Sequence, residues 1–140
     1  MWANAVLAGD DTVHVTYQDA LGDQLMYTTW SGTTGAAGTP EVVDDGVRAG
    51  DRTHPVGQGA AIYLASGAPT IAYQDALTAD VYLAQKSATW ATTPVAQGPL
   101  LDGFSIAATT GHGAPVIVWE SKDPHAVAPA QIGTLVVKPQ

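Results

Sequence analysis

Short apolar runs separated by polar turns fill the chain, and inside a run the side chains alternate between two unlike faces. Around Leu25, Met26 and Tyr27, for example, successive side chains would lie on opposite faces of an extended segment. The 15 glycines and 9 prolines lie mostly between the runs, as tight turns require. No segment keeps the helical period of about 3.6 residues for three turns. The pattern therefore predicts an all-β chain without helices.

One unit of sequence occurs three times. The segments Tyr17–Leu21 and Tyr73–Leu77 are identical and lie 56 positions apart. A diverged third copy follows 46 positions later, in which Gly113–Pro115 repeats Gly67–Pro69 and Trp119 replaces the repeated tyrosine. A repeat of this length is typical of solenoids, propellers and arrays.

Each unit contains four short runs joined by turns, which predicts a four-stranded antiparallel meander. The units extend approximately over 1–46, 58–98 and 103–140. The predicted strands are, in chain order, Ala3–Ala8, Thr12–Tyr17, Gln24–Thr28 and Glu41–Val43; Ala60–Ala65, Pro69–Tyr73, Val81–Gln85 and Thr92–Ala96; and Phe104–Thr109, Pro115–Trp119, Ala126–Gln131 and Thr134–Lys138.

The unit resembles a bacterial β-propeller repeat, in which a strand reading roughly hisYyD precedes a strand reading dLkyA and a later tryptophan. The matching segments are Val13–Asp19 with Leu25–Thr28, and Thr70–Asp75 with Val81–Ala84. Such repeats are frequent in large exported proteins of myxobacterium-like organisms. The resemblance covers nearly the whole chain and implies a single partial β-propeller built from three blades.

Three blades are too few to close a ring, since known β-propellers have about four to eight. An open stack of three would expose an apolar face at each end, which a soluble monomer rarely tolerates. We therefore expect either that two copies form a six-bladed ring or that a second polypeptide supplies the missing blades. The sequence leaves both alternatives open.

The chain is acidic and lacks cysteine, which excludes several kinds of function. Five lysines and arginines stand against 13 aspartates and glutamates, for a formal net charge of −8. This charge disfavours nucleic acid and anionic membrane surfaces as partners, and no apolar run is long enough to span a bilayer. Disulfides, thiolate catalysis and cysteine zinc sites are ruled out. The amino terminus lacks the pattern of a signal peptide, so we expect an intracellular protein or the mature segment of a longer exported one, and favour the second.

The repeated Tyr-Gln-Asp triplet holds the first candidate ligand-binding residues, Tyr17, Asp19, Tyr73 and Asp75. Each aspartate could bind a cation or a sugar hydroxyl, with the tyrosine as a stacking platform. The alternative is structural, because an aspartate at the end of a strand accepts backbone hydrogen bonds in an Asx turn. The triplet recurs with the unit, which favours the structural interpretation.

Two tryptophans, Trp30 and Trp90, lie near predicted loops and are the other candidate ligand-binding residues. An indole ring stacks on the C–H face of a sugar, which suggests a lectin. Tryptophans also fill the space between packed sheets. Trp119, which takes the place of the repeated tyrosine, favours packing.

No pattern of catalytic or metal-ligating residues is present. The acid pairs at 10–11 and 44–45 are predicted to be solvated turn residues, because they lack the spaced ligands of a calcium loop. No nucleophile motif occurs. We therefore expect no enzyme, no metal site and no cofactor. None of the histidines shows the spacing of a zinc site; they are His14, His54, His112 and His125.

The function expected from these patterns is that of a non-catalytic binding or scaffold module. It would recognise a protein or a glycan through loops at one end of a completed ring. One alternative is a glycan-specific lectin, or a hydrolase or lyase whose acids converge on the central channel. Another is a purely structural half-propeller that assembles with itself.

Overall fold

The described residues fold into strands and turns alone. The computed structural model describes residues 2–111, 114–127 and 133–139, so His112 and most of the expected strand Ala126–Gln131 lie outside it. Three antiparallel sheets confirm the all-β prediction. No helix in the described ranges could cross a membrane. The strands are β1 (Ala3–Leu7), β2 (Thr12–Asp19), β3 (Gln24–Ser31), β4 (Glu41–Asp44), β5 (Val56–Ala65), β6 (Ala68–Asp75), β7 (Asp80–Lys86), β8 (Trp90–Ala96), β9 (Leu101–Gly111), β10 (Ala114–Lys122) and β11 (Thr134–Pro139).

Each sheet is a meander of consecutive strands, as the repeated unit predicts. Sheet 1 has the strand order β1-β2-β3-β4, sheet 2 has the order β5-β6-β7-β8, and sheet 3 has the order β9-β10-β11. Directly paired residues share a face of the sheet, so the register assigns every strand position to one face or the other.

The prediction for the end of sheet 3 is wrong. The pattern predicts a fourth strand over Thr134–Lys138, but the strand found there, β11 (Thr134–Pro139), pairs with β10 and is the third strand of its sheet. After β10, the Asp123 carboxylate accepts the His125 N–H at 2.8 Å in a turn. Val127, expected in the third strand, lies outside the strands and is 79% exposed. Val136 takes the place beside β10 and packs against the core.

Consecutive sheets pack face to face, so the described residues form two hydrophobic cores. β5 contacts β1, β2 and β3, and β9 contacts β5, β6 and β7. Alternate side chains of sheet 2 enter different cores. Ile62, Ile71 and Tyr73 pack against sheet 1, whereas Tyr63 and Val81 pack against sheet 3. Sheet 2 is therefore buried on both faces, and sheets 1 and 3 each keep one outer face.

The first strands of sheets 2 and 3 begin with the same junction to the preceding sheet. The Val56 N–H donates to the Asp23 carbonyl at 3.0 Å, and the Asp102 N–H, 46 positions later, donates to the Ala79 carbonyl at 2.8 Å. Asp23 and Ala79 have nearly identical positive φ angles, 55° and 56°. The sequence repeat is therefore also a repeat of backbone geometry.

A glycine follows each junction and lies against the preceding sheet. Gly57 has a φ of 88° and Gly103 a φ of 89°, in the left-handed region that favours glycine. A Cβ added to Gly57 would lie 3.1 Å from the Leu25 Cα, and one added to Gly103 would lie 3.1 Å from the Val81 Cγ2. These close approaches let the first strand of one sheet pack onto the preceding one.

We expect Gly57→Ala to lower the free energy of unfolding by about 1–3 kcal/mol more than Gly67→Ala does, because overpacking in a close contact costs that much. Gly67 has a similar φ of 83°, but a Cβ there would meet nothing within 4 Å. The control therefore contains the backbone strain without the crowding. Urea denaturation of both variants measures the difference, and equal losses would show that the Leu25 contact does not constrain the fold.

Candidate functional site

Five polar side chains meet between sheets 1 and 2 and form what we call the buried polar cluster. Asp44 ends β4, Tyr73 and Asp75 lie at the end of β6, and Arg48 and His54 come from the connection between β4 and β5. The side chains of Tyr73 and Asp75 are fully buried, and His54 and Asp44 are 4% and 8% exposed. Buried charges of this kind require partners.

Arg48 joins the two buried carboxylates. Its Nη1 and Nη2 donate to the two oxygens of Asp44 at 2.9 Å each, and Nη2 also donates to Asp75 Oδ2 at 3.2 Å. The Tyr73 hydroxyl donates to Asp44 Oδ2 at 2.6 Å. Bidentate, charge-assisted hydrogen bonds are among the strongest in proteins, so Arg48 and Tyr73 fix β4 of sheet 1 on β6 of sheet 2.

His54 extends the cluster to the protein surface. Its Nδ1 lies 2.6 Å from Asp75 Oδ2, and its Nε2 lies 3.3 Å from Asp51 Oδ2. Burial opposes the charged imidazole, but the hydrogen bonds to the two carboxylates outweigh it and raise the pKa of His54 above its ordinary 6.5. When His54 is protonated, it and Arg48 balance the charges of Asp44 and Asp75.

Asp44 contradicts its predicted role as a solvated turn acid. Burial acts to raise its pKa, but hydrogen bonds from Arg48, from the Tyr73 hydroxyl and from the Gly46 N–H outweigh burial and hold the pKa of the Asp44 carboxyl below its usual value. Of the pair at 44–45, Asp45 alone is exposed. The prediction failed because the connection after β4 places Arg48 between Asp44 and Asp75 of sheet 2. Two adjacent acids in a sequence do not reveal such a contact.

The cluster has acidic, basic and imidazole groups, but its arrangement is that of a structural contact. Both nitrogens of His54 face carboxylates, and both buried carboxylates bind Arg48. In the described ranges, no three histidine, aspartate or glutamate side chains are grouped to hold a metal ion. We interpret the cluster as a polar contact that fixes the orientation of sheet 1 on sheet 2.

Both aspartates of the repeated triplet accept backbone hydrogen bonds where their strands end. Asp19 Oδ1 accepts the Leu21 N–H at 3.0 Å, and Asp75 Oδ1 accepts the Leu77 N–H at 3.1 Å. This is the Asx-turn geometry that the structural interpretation describes. Asp75 uses its second oxygen in the buried polar cluster, whereas Asp19 is partly exposed.

The two candidate tryptophans lie on different sides of sheet 1. The Trp90 ring packs edge to face on Tyr27, with ring centroids 5.1 Å apart, and its Nε1 donates to Glu41 Oε2 at 3.1 Å. Lys86 Nζ lies 5.5 Å from the centroid of the same ring. Trp90 therefore has protein partners in the core between sheets 1 and 2. Trp30 lies on the opposite face of sheet 1 and is 43% exposed.

Sheet 1 leaves an apolar outer face that repeats a buried surface of sheets 2 and 3. Tyr17 and Val15 on this face are partly exposed, although their equivalents in sheet 2, Tyr73 and Ile71, are completely buried. The sheet 1 outer face is formed by Leu7, Val13, Val15, Tyr17, Met26 and Trp30.

Sheet 3 also leaves an apolar outer face, whose positions are buried in sheets 1 and 2. The register of β10 and β11 places Leu135 where Val81 and Leu25 lie in the other two sheets. Leu135 is 69% exposed, whereas Val81 and Leu25 are completely buried. Likewise, the Val137 side chain is 57% exposed, whereas the equivalent Leu83 is 6% exposed. The sheet 3 outer face is formed by Val116, Val118, Leu135 and Val137.

The six predicted ligand residues do not form one site. Tyr73 and Asp75 meet in the buried polar cluster, while Tyr17, Asp19, Trp30 and Trp90 lie apart from it. Comparison with known proteins supplies no site to transfer: no family model matches the chain, and no curated protein is significantly similar to it.

We expect Tyr73→Phe to lower the free energy of unfolding by about 1.5–3 kcal/mol, the cost of losing a hydrogen bond to a charged group. Tyr17→Phe is the matched control, because Tyr17 occupies the same repeat position on the partly exposed outer face and should change stability little. Urea denaturation measures both variants. Equal effects would contradict the role of the Tyr73–Asp44 hydrogen bond.

Stability should fall as the pH rises above 6.5. Because the pKa of His54 is raised in the folded chain, protonated His54 stabilises the fold fully below its unfolded pKa of 6.5, and this stabilisation is lost as the pH rises through the folded pKa. We expect His54→Gln to remove this decrease. Unfolding in urea at several pH values between about 6 and 9 measures it.

His125→Gln is the control for this pH dependence, because His125 is exposed, and the decrease should persist in that variant. Burial lowers the pKa of His14, so His14 acts below pH 6.5 and in the opposite direction. A decrease above pH 6.5 that survives in the His54→Gln variant would contradict the assignment.

Proposed function

We propose that the chain is a non-catalytic binding or scaffold module made of three β-propeller blades, and that a second copy completes a six-bladed ring. The observation that carries the proposal is the pair of uncovered faces at the two ends of the stack. Ring ends and loops would then present a surface for a protein or a glycan. Six blades lie within the range of about four to eight that closed propellers use.

The two outer faces are the two halves of one kind of interface. Between sheets 2 and 3, the side of sheet 2 that carries Val81 and Leu83 packs on the side of sheet 3 that carries Ile117 and Trp119. The sheet 3 outer face matches the side of sheet 2 that carries Val81 and Leu83. The sheet 1 outer face matches the side of sheet 3 that carries Ile117 and Trp119. Sheet 3 of one copy can therefore pack on sheet 1 of another as consecutive sheets do within the chain.

Two such contacts close a ring of two copies, because each copy offers both halves. The contact is heterologous, because it joins different faces of the two copies. The ring closes if sheet 3 of one copy and sheet 1 of the next are related by the same rotation as consecutive sheets within the chain. Burial of leucine, valine and tryptophan side chains that are exposed in the single chain drives the association. A purely structural role would follow from the same contacts if the completed ring had no ligand.

We expect a native mass of twice the chain mass of 14.4 kDa, measured by light scattering. Val15→Asp and Val137→Asp each place an unpaired charge in the proposed contact and should shift the mass towards the single chain. Val47→Asp is the control, because Val47 is an exposed valine outside both outer faces, and its mass should not change. A stable wild-type monomer would contradict the ring.

Mixing the two variants tests the direction of the contact. The Val15→Asp protein keeps an intact sheet 3 face, and the Val137→Asp protein keeps an intact sheet 1 face. The mixture should therefore form an open dimer in a one-to-one ratio through one undamaged contact. A contact between identical faces predicts no such rescue, so a mixture that stays monomeric would contradict the head-to-tail arrangement.

A further inference from the structure

A cleft of about 320 Å³ lies where the first strands of sheets 2 and 3 meet the segment before β1. This volume is at the lower end of the range of small-molecule sites, about 300–1,000 Å³. Its lining combines two aromatic rings with amide, carboxylate and ammonium groups. The lining includes the side chains of Trp2, Gln58, Gln74, Phe104, Glu120 and Lys122.

Three of these residues occupy one position of the repeat. Trp2, Gln58 and Phe104 are separated by the same 56 and 46 positions that separate the three units. Gln74 and Glu120, 46 positions apart, are a second equivalent pair. Equivalent residues of all three units therefore meet at the cleft. These residues differ from one unit to the next.

This divergence distinguishes the cleft from the repeated triplet. Asp19 and Asp75 are identical and make the same turn in each copy. At the cleft, the copies carry an indole, an amide and a phenyl ring at one position. Because a residue that every blade needs should recur, a position at which the blades converge and differ is suited to recognition.

The cleft is held in shape before any ligand arrives. The Gln18 N–H donates to the Trp2 carbonyl at 3.0 Å and fixes the segment before β1. The Gln74 amide donates to the Asp102 carbonyl. Lys122 Nζ lies 4.4 Å from the centroid of the Phe104 ring. Preorganised walls of this kind lower the entropic cost of binding.

The lining matches the surface of a pyranose sugar. Indole and phenyl rings cover apolar C–H faces, while amides both donate and accept hydrogen bonds with hydroxyl groups. Glu120 and Lys122, whose charged atoms lie 3.6 Å apart, add an acceptor and a donor. The net charge of −8 disfavours polyanionic ligands. A peptide in an extended polyproline conformation would need a longer aromatic groove.

We propose that this cleft binds a neutral saccharide, with Trp2 as the stacking platform and Gln58 and Glu120 as hydrogen-bonding partners. The inference rests on the proposed binding function and gives it a site and a ligand class. It does not need the ring, because one chain supplies every residue named. The two proposals can therefore fail separately.

The test starts with an array of immobilised neutral and acidic oligosaccharides and the wild-type protein. We expect neutral saccharides to bind, and Trp2→Ala to weaken binding of the strongest hit about tenfold or more in calorimetry, as loss of a central aromatic anchor does. Gln58→Ala, which alters an exposed side chain, should weaken the same binding with an unchanged unfolding midpoint. Trp30→Ala, made in the monomeric Val15→Asp protein because Trp30 lies on the sheet 1 outer face, is the matched control and should bind as Val15→Asp does.

Four results would overturn the proposal. These are a blank array, selective binding of acidic glycans, loss of binding in Trp30→Ala but not in Trp2→Ala, and Trp2-dependent binding of a proline-rich peptide array in place of saccharides. The Val15→Asp variant separates this proposal from the ring. Saccharide binding by a monomeric Val15→Asp protein would support the cleft by itself. Its loss there, with Trp2 intact, would be a fifth contradicting result, because one chain would then not suffice.

Discussion

The face-to-face packing of consecutive sheets is the constraint on which the rest of the structure depends. The hydrogen bond from Val56 to the Asp23 carbonyl positions sheet 2 on sheet 1, and the bond from Asp102 to the Ala79 carbonyl positions sheet 3 on sheet 2. The glycine after each junction allows the close approach. Because the same contact is used twice, sheets 1 and 3 each keep an outer face whose positions match a side that is buried in that contact, and the first strands of sheets 2 and 3 meet at one cleft.

The contact between sheets 1 and 2 and the contact between sheets 2 and 3 each bury an aromatic side chain with a polar atom, and that atom has a different partner in each. An aromatic residue near the end of the second strand, Tyr73 or Trp119, is buried and needs a partner for its polar atom. The Tyr73 hydroxyl uses Asp44 of the preceding sheet, whereas Trp119 Nε1 donates to Asp102 Oδ1 of its own sheet at 2.9 Å. In the first contact Asp44 also binds Arg48, which comes from the connection between sheets 1 and 2. The repeat therefore conserves the contact and varies its polar chemistry.

Alternation and repetition suffice to predict the strands of sheets 1 and 2 and the first two strands of sheet 3, because burial on a sheet face has a period of two residues. They could not predict the tertiary environment of Asp44, which depends on how the connection after β4 folds back. They also misplace the third strand of sheet 3, since Val127 and Val136 are equally apolar and alternation does not show which of the two segments pairs with β10. The offsets that relate Trp2, Gln58 and Phe104 are readable in the sequence, but their convergence on a cleft requires the packing of three sheets.

The chain lacks cysteine, so the central claim can be tested by crosslinking single-cysteine variants with a short bismaleimide. Val15→Cys places the thiol on the sheet 1 outer face, and Val137→Cys places it on the sheet 3 outer face. The repeated contact predicts crosslinked dimers only when the two variants are mixed, each dimer joining sheet 1 of one copy to sheet 3 of another. Dimers formed by either variant alone, or none in the mixture, would contradict it.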